Sequence, residues 1–411
     1  MSWRPPKPAV WVRAINAGAG LAQRAGLRFA DLDADRIVNQ AVDQAGARSD
    51  YRDFGPDDGW RTGLERLTDD YRRHARLTAL GRIAAHRHLV DLLTNRLRME
   101  RDRAQHPDIG DQSIKAPLFI VGLPRTGTTL LHMLLAQDPA NRVPETWEVM
   151  HPAPVEASES RRIKRAGREL AWMERLAPGF RVMHPLAPRL PQECIAIDSH
   201  SFRSYEFQTT HHVPDYQRWL ESRDRHGVYR HHKRFLQHLQ WQRPGAHWVL
   251  KAPAHLFGLA ELLAVYPDAG IVQTHRDPLK VMASLASLST MLRVAFSEHV
   301  DARAIGREMS ARWGGGVLQA MELRNTGRLP ADRFIDIDYR AVVSRPIDTV
   351  KTVYARFDRE LTFEAEQAMR NFLAANPKDK HGTHRYSLAQ FGLDADEQAE
   401  RFAGYRARFG C

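Results

Sequence analysis

The sequence predicts an α/β fold, a parallel sheet covered by helices on both faces and preceded by a helical region. Three observations carry this reading. Short apolar runs recur beyond about residue 114, each followed by a helical pattern. The first run leads straight into a glycine-spaced turn that opens a helix. From about Ala30 to Arg103, before that run, apolar residues recur at helical spacing.

Taken in order, the helical region shows its period in Trp60, Leu64 and Leu67, and again in Leu89, Val90, Leu92 and Leu93. The stretch from Asp50 to Gly59 is a loop by its Gly, Pro and Asp content. His106 to Asp111 is a second break, which divides an N-terminal helical region, 1–113, from an α/β domain, 114–411. Pro117 to Leu123 is a continuous apolar run, suited to a strand buried on both faces. A helix is expected from about Thr128 to Ala136. Further strands are expected at His247–Leu250, Gly270–Thr274 and Phe334–Ile337. Residues from about Val155 to Pro244 read as mostly helical, with loops rich in His, Arg and aromatic residues.

Composition narrows the classes. The 411 residues exceed one small domain, and 43% hydrophobic content suffices for a core. A net charge of +11 favours anionic partners: phosphate esters, nucleic acid or anionic lipid. Two cysteines, Cys194 and Cys411, make no disulfide framework and fit a reducing, cytoplasmic setting. The basic N-terminal stretch lacks the apolar core of a signal peptide, and no segment holds the ~18 uninterrupted apolar residues of a membrane span. Peripheral membrane contact through that stretch stays open.

The turn after the first strand reads Gly122-Leu123-Pro124-Arg125-Thr126-Gly127-Thr128-Thr129. Its position between strand and helix lets backbone N–H groups and a helix N-terminus cradle a phosphate, as in a P-loop. The glycines stand at Walker A separation, with Thr129 at the Ser/Thr position. Position 128 holds threonine where a nucleoside triphosphatase has lysine, and the cation has moved into the loop as Arg125. Such a loop suits a donor with one 5′-phosphate and a terminal group of lower charge.

A second anion site is expected where Thr274-His275-Arg276-Asp277-Pro278 ends a strand and opens a helix. Asp277 is a good N-cap and Pro278 a good first helical residue. Ser284, seven residues after the cap, returns to the same face after two turns. Arg276 and Ser284 can then share one phosphate, the arginine by charge and the serine as hydroxyl donor.

These two segments together resemble the family of sulfotransferases that use 3′-phosphoadenosine 5′-phosphosulfate (PAPS). In that family a Pro-Lys/Arg-Ser/Thr-Gly-Thr-Thr loop holds the 5′-phosphosulfate. An arginine followed eight positions later by serine holds the 3′-phosphate. Pro124 to Leu131 is especially similar to protein-tyrosine and bacterial members with arginine in the loop. The resemblance covers about Lys115 to Arg408. It implies PAPS as donor, with 3′,5′-ADP as product, bound by Arg125, Thr126, Gly127, Thr128, Thr129, Arg276 and Ser284. Tyr339, in Asp336-Ile337-Asp338-Tyr339-Arg340, matches a tyrosine that touches the adenine; a packed aromatic is the competing reading. Lys378 to Tyr386 lies where the family's C-terminal basic segment closes over the 3′-phosphate, without its Arg-Lys-Gly pattern.

For the transfer step the resemblance implies Arg125 and Lys251 at the leaving oxygen. Lys251 belongs to Leu250-Lys251-Ala252-Pro253, similar to the family's Lys-x-Pro segment. Glu145, in Pro144-Glu145-Thr146-Trp147-Glu148, matches a Glu-Thr segment whose glutamate is the base, and Trp147 beside it is expected to desolvate the carboxyl. The match needs a one-residue gap, so Glu148 competes. In the small-molecule branch the base is histidine, which makes His200, His211, His212 and His255 rivals. No Cys, Asp and His set has ligand spacing, and no metal is expected.

The acceptor is expected to be a hydroxylated small molecule such as a lipid, sterol or phenol. The segment 180–244, with Phe202, Tyr205, Phe207, Tyr216 and Trp219, is expected to line its site. Those aromatics serve equally as core. Two other functions stand against this reading: a P-loop kinase or nucleotidase using ATP–Mg²⁺, and a non-catalytic basic anion-binding protein. No nucleic-acid module is present in the sequence, so nucleic acid is not an expected partner.

Overall fold

Five parallel strands form one sheet in the order β2-β3-β1-β4-β5. They are β1 (Leu118–Gly122), β2 (Asn141–Arg142), β3 (His247–Lys251), β4 (Gly270–His275) and β5 (Phe334–Asp338). In this computed structural model residues 10–24, 30–46, 51–56, 58–154, 157–176, 187–245, 247–376 and 387–411 are described. Four strands fall where the apolar runs predict them. The fifth, β2, is a two-residue edge pairing with His247 and Trp248, too short to leave a periodic signal.

Alternation along the strands supplies both faces of the sheet. Phe119, Val121, Leu250 and Ile271 join one hydrophobic core; Leu118, Ile120, Val249 and Val272 join the other. The second core is closed by the helices Thr128–Leu135, Pro346–Arg356 and Phe363–Ala375, through Leu131, Val350 and Met369. The first core extends without a break into the N-terminal helices, taking in Ile37, Leu64 and Leu89. The helical region before residue 114 therefore shares a core with the α/β part. Thr78 N bonds Phe296 O at 2.9 Å, which ties the helix Ala79–Gln105 to the helix Pro278–Phe296. By length and composition Pro278–Phe296 could cross a membrane; here Val281, Met282 and Leu285 are buried in the core.

Strand order also places the crevice. The connection from β1 runs to β2 at one edge, and that from β4 runs to β5 at the other. The neighbouring carboxyl ends of β1 and β4 thus send their loops apart, which is where open α/β sheets bind ligands. A separate cleft lined by Ala116, Asp268, Asp332, Arg356 and Arg359 lies at the amino edge of the strands and holds none of the expected site residues.

Candidate active site at the carboxyl edge of the sheet

The loop after β1 has the backbone that its glycines predict. Gly122 has φ +137°, and a Cβ there would lie 2.5 Å from Thr274 O on the adjoining strand. Gly127 has φ +89°, with Val342 Cγ1 3.1 Å from where its Cβ would stand. Arg125 adopts φ +69°, a left-handed conformation uncommon outside glycine, and its side chain is exposed. Gly127 caps the helix Thr128–Leu135 without a side-chain hydrogen bond, so the first N–H groups of that helix have no side-chain acceptor. Loop and helix end together form a cradle that fits a phosphate. Thr128 is buried and Thr129 half-buried in its first turn. Thr126 turns inward: its hydroxyl donates to Leu123 O at 2.6 Å and lies 2.6 Å from Thr274 Oγ1. Its hydroxyl braces the loop against β4, which leaves the backbone N–H as its offering to a phosphate.

The second expected site stands beside the first. Arg276 follows β4, donates from Nη1 to Arg125 O at 2.7 Å, and lies 4.1 Å from the Tyr339 ring centroid. Tyr339 Cδ2 is 3.4 Å from the position of a Cβ on Gly127. The structure thus gathers Arg125, Gly127, Arg276 and Tyr339 into one corner. Asp277 caps the helix Pro278–Phe296 by accepting from Leu279 N at 3.2 Å. Ser284 stands two turns on, 5% exposed. The basic stretch Lys378–Tyr386 lies outside the described residues.

Lys251 ends β3, and its side chain is 2% exposed. Its Nζ contacts Glu193 Oε1. Glu193 precedes the helix Cys194–Ser199 and is the carboxylate that sequence reasoning missed. Beneath the pair, His132 Nε2 is 3.2 Å from Val249 O. Burial first, and then the Lys251 charge, push His132 down to about 3. It therefore stays neutral and adds no second cation beside the lysine.

Glu145 lies close by along the chain path. Segment 188–192 runs against 144–147, with Gln192 N to Pro144 O at 2.7 Å, Thr146 N to Leu190 O at 2.9 Å and Trp147 N to Pro188 O at 2.9 Å. Glu145 Oε2 accepts from Trp147 Nε1 at 2.5 Å, and Arg189 and Arg243 stand 3.5 and 3.4 Å from its oxygens. Trp147 is therefore a hydrogen-bond donor to this carboxylate, and the expected apolar wall is not there. Glu148 is buried and held by Arg142 in a two-pronged pair, at 2.9 and 2.6 Å, with Arg243 at 3.3 Å. Its oxygens are committed to that structural pair.

Three of the four rival histidines are packing residues. His200, His211 and His255 are buried, and burial lowers each of them, His200 and His211 to about 3. Their partners are interior: Asn95 and Ala196 O for His200, Tyr71 and Thr210 for His211, Tyr229 for His255. His212 is exposed, 4.0 Å from Glu308. The expected acceptor lining is corrected too. Phe202, Tyr205, Phe207 and Tyr216 are buried core residues, and Trp219 packs against them. Among the described residues one group, Asp70, His74 and Asp215, brings three ligand atoms within 4.8 Å of one another. Arg218 pairs with Asp215 there, and Asp70 accepts from Tyr216 N at 2.8 Å, so the group joins two helices.

Comparison with known proteins adds a lineage to this geometry. Residues 117–364, more than half of the chain, match a family model described as the sulfotransferase family. The omega-hydroxy-beta-dihydromenaquinone-9 sulfotransferases Stf3 of Mycobacterium bovis and Mycobacterium tuberculosis are 30% identical over 188 residues, 43% of this chain and 46% of theirs. The match thus spans about half the length of these curated relatives. The crystal structure of sulfotransferase STF1 from Mycobacterium tuberculosis superposes with a TM-score of 0.80 at 33% identity, covering 92% of this chain and all of that one. Sulfotransferase STF9 from Mycobacterium avium gives 0.79 at 29% identity, covering 91% of this chain and 96% of its own.

Proposed function

The chain belongs to the sulfotransferase family, and from that premise we propose that it moves the sulfuryl group of PAPS to an acceptor hydroxyl. The observation that carries the donor assignment is the contact of Arg276 with the Arg125 carbonyl, which sets two anion sites side by side across β1 and β4. A nucleotide phosphorylated at both 5′ and 3′ positions fits that pairing. The loop of Arg125 to Thr129 would take the 5′-phosphosulfate, Arg276 and Ser284 the 3′-phosphate, and Tyr339 the adenine edge.

In the transfer, the acceptor oxygen forms a bond to sulfur while the bridging S–O bond breaks. The proton of the acceptor goes to a carboxylate, and the charge on the departing phosphate oxygen is met by Arg125 and Lys251. Two carboxylates compete as base. Glu145 matches the family segment, but its oxygens face Trp147, Arg189 and Arg243. Glu193 touches Lys251 and so stands near the sulfur, which the acceptor oxygen must attack from the side opposite the leaving oxygen. This geometry favours Glu193.

The acceptor we infer is a hydroxylated lipid, the class for which the relative Stf3 is named. The kinase and the non-catalytic readings find no support in the family match. Radiolabel transfer from PAPS to hydroxylated lipids and phenols tests the activity. Arg125→Ala should lose on the order of 10²–10³ in turnover, the scale for removing a charge-stabilising donor. Turnover at the wild-type rate would remove Arg125 from the mechanism. Tighter calorimetric binding of ATP–Mg²⁺ than of adenosine 3′,5′-bisphosphate would overturn the donor assignment.

A further inference from the structure

Seven large apolar side chains are exposed among the described residues, and six of them belong to three helices, of which Ala79–Gln105 touches both of the others. Val10, Trp11 and Ile15 lie on the helix Val10–Arg24; Val10 is 72% exposed, whereas Val12 on the opposite side is buried. Asn16 of this helix accepts from Leu80 N at 3.1 Å, which seats it across the first turn of Ala79–Gln105, close to the exposed Ile83. Trp172 and Met173 lie on the helix Glu159–Leu176.

That helix runs antiparallel to Ala79–Gln105. At its start, Arg162 donates to Pro152 O at 3.0 Å, and His238 lies 3.2 Å from the same carbonyl and 3.6 Å from Asp102. Further along, Glu169 stands 3.8 Å from Arg87. Trp172 follows about 4.5 Å beyond Glu169 at the helical rise, level with the turn of Ile83.

Charge on the same helix is mostly of one sign, with six basic residues against the acids Glu159, Glu169 and Glu174. Arg161, Lys164, Arg168 and Arg175 are all exposed, and their spacing puts them on the face that carries Trp172. Arg175 lies 5.5 Å from the Trp172 ring centroid. The acids Glu159 and Glu169 are taken by Arg189, and by His151 and Arg165. The neighbouring Val10–Arg24 contains Arg13 and Arg24 and no acidic residue. Basic helices with tryptophan at the surface fit the headgroup layer of a membrane.

We propose that this face docks on an anionic lipid surface. Arg189 ties the start of that helix to the candidate site, bonding Glu159 at 2.9 Å and reaching Glu145 at 3.5 Å. Docking of the helix would hold the site it is tied to near the membrane, where an amphiphilic alcohol resides. The purpose of the face rests on the lipid-acceptor reading; its physics does not.

The test is sedimentation of the full chain with phosphatidylglycerol–phosphatidylcholine vesicles and with pure phosphatidylcholine vesicles, without donor or acceptor. Binding to the anionic vesicles alone, released by salt, is expected. The triple variant Arg161→Gln, Lys164→Gln, Arg168→Gln should bind on the order of 10²-fold more weakly, each basic residue near such a surface being worth about fivefold. Trp172→Ser should weaken binding further at every salt concentration. All variants should keep the affinity of the parent for adenosine 3′,5′-bisphosphate. Wild-type protein left in the supernatant, or equal binding by the triple variant, overturns the proposal. So does a concentration-dependent dimer abolished by Trp172→Ser without vesicle binding, which would assign the face to a second copy of the chain. Vesicle binding with no sulfation of any hydroxylated lipid would sink the acceptor reading and leave the docking face standing.

Discussion

Replacing Arg276 by alanine tests the proposed grip on a second phosphate. Among the described residues Arg276 makes one bond, to the Arg125 carbonyl, and packs over Tyr339 at 4.1 Å. The carbonyl belongs to an exposed residue, so water can replace that bond at little cost. The loss in donor affinity comes mainly from the phosphate. A hydrogen bond to a charged group contributes about 1.5–3 kcal/mol, and the cation–aromatic contact that orients the guanidinium about 0.5–1. The sum, about 2–4 kcal/mol, weakens adenosine 3′,5′-bisphosphate binding by about 30- to 700-fold. Calorimetry should compare that nucleotide with adenosine 5′-monophosphate. Loosening of the loop would weaken both ligands alike, whereas loss of a 3′-phosphate contact weakens only the first. The preference of the wild-type protein for the bisphosphate should therefore collapse toward unity in Arg276→Ala. An unchanged preference would refute the placement of the 3′-phosphate at Arg276.

Glu193→Gln should lower kcat by about 10²–10⁴, the range for general-base loss, while KM for PAPS moves only a few-fold; a larger kcat loss in Glu145→Gln would return the base to Glu145. Gly127→Ala forces an L-residue to φ +89° with a methyl 3.1 Å from Val342, and should cost about 1–2 kcal/mol in urea unfolding together with bisphosphate binding. Burial raises Glu169, but His151 and Arg165 outweigh it and hold the carboxyl at about 2. Its folded value is depressed, so its stabilisation is full above the unfolded value of about 4.3 and fades as pH falls toward 2. Glu169→Gln should therefore flatten the acid side of the stability–pH curve, by about 1 kcal/mol because solvent screens this part-exposed carboxyl, read from denaturant midpoints at several pH values.

The parts of this molecule that were legible in the sequence share a physical cause: a short segment sufficed to specify them. Leu118 to Gly122 reads as a buried strand because every side chain is apolar, and the loop after it because glycine alone tolerates φ +137° against Thr274. Arg276 and Asp277 were legible through helix-opening chemistry. Glu193 was not, because its significance is a contact with Lys251, 58 residues away. What its local pattern shows is an acidic residue before the apolar turn Cys194–Ser199, which reads as helix entry. The aromatics from Phe202 to Tyr216 and the histidines at 200, 211 and 255 illustrate the opposite failure. Their types suit a binding site and an interior equally, and only burial separates the two. The Trp147 case is similar: indole supplies an apolar wall or a donor, and here the N–H faces Glu145.

The ladder between 144–147 and 188–192 clips together the two ends of the long excursion that includes the helix Glu159–Leu176. Three backbone bonds close it at the base, next to both candidate carboxylates. What lies beyond the clip can be lengthened, shortened or recharged while Glu145 and Glu193 keep their separation, since loop closure depends only weakly on length. The proposed membrane affinity can thus diverge among homologous chains with the candidate centre left in place. Exchange of the whole excursion between two such chains should carry vesicle affinity with it.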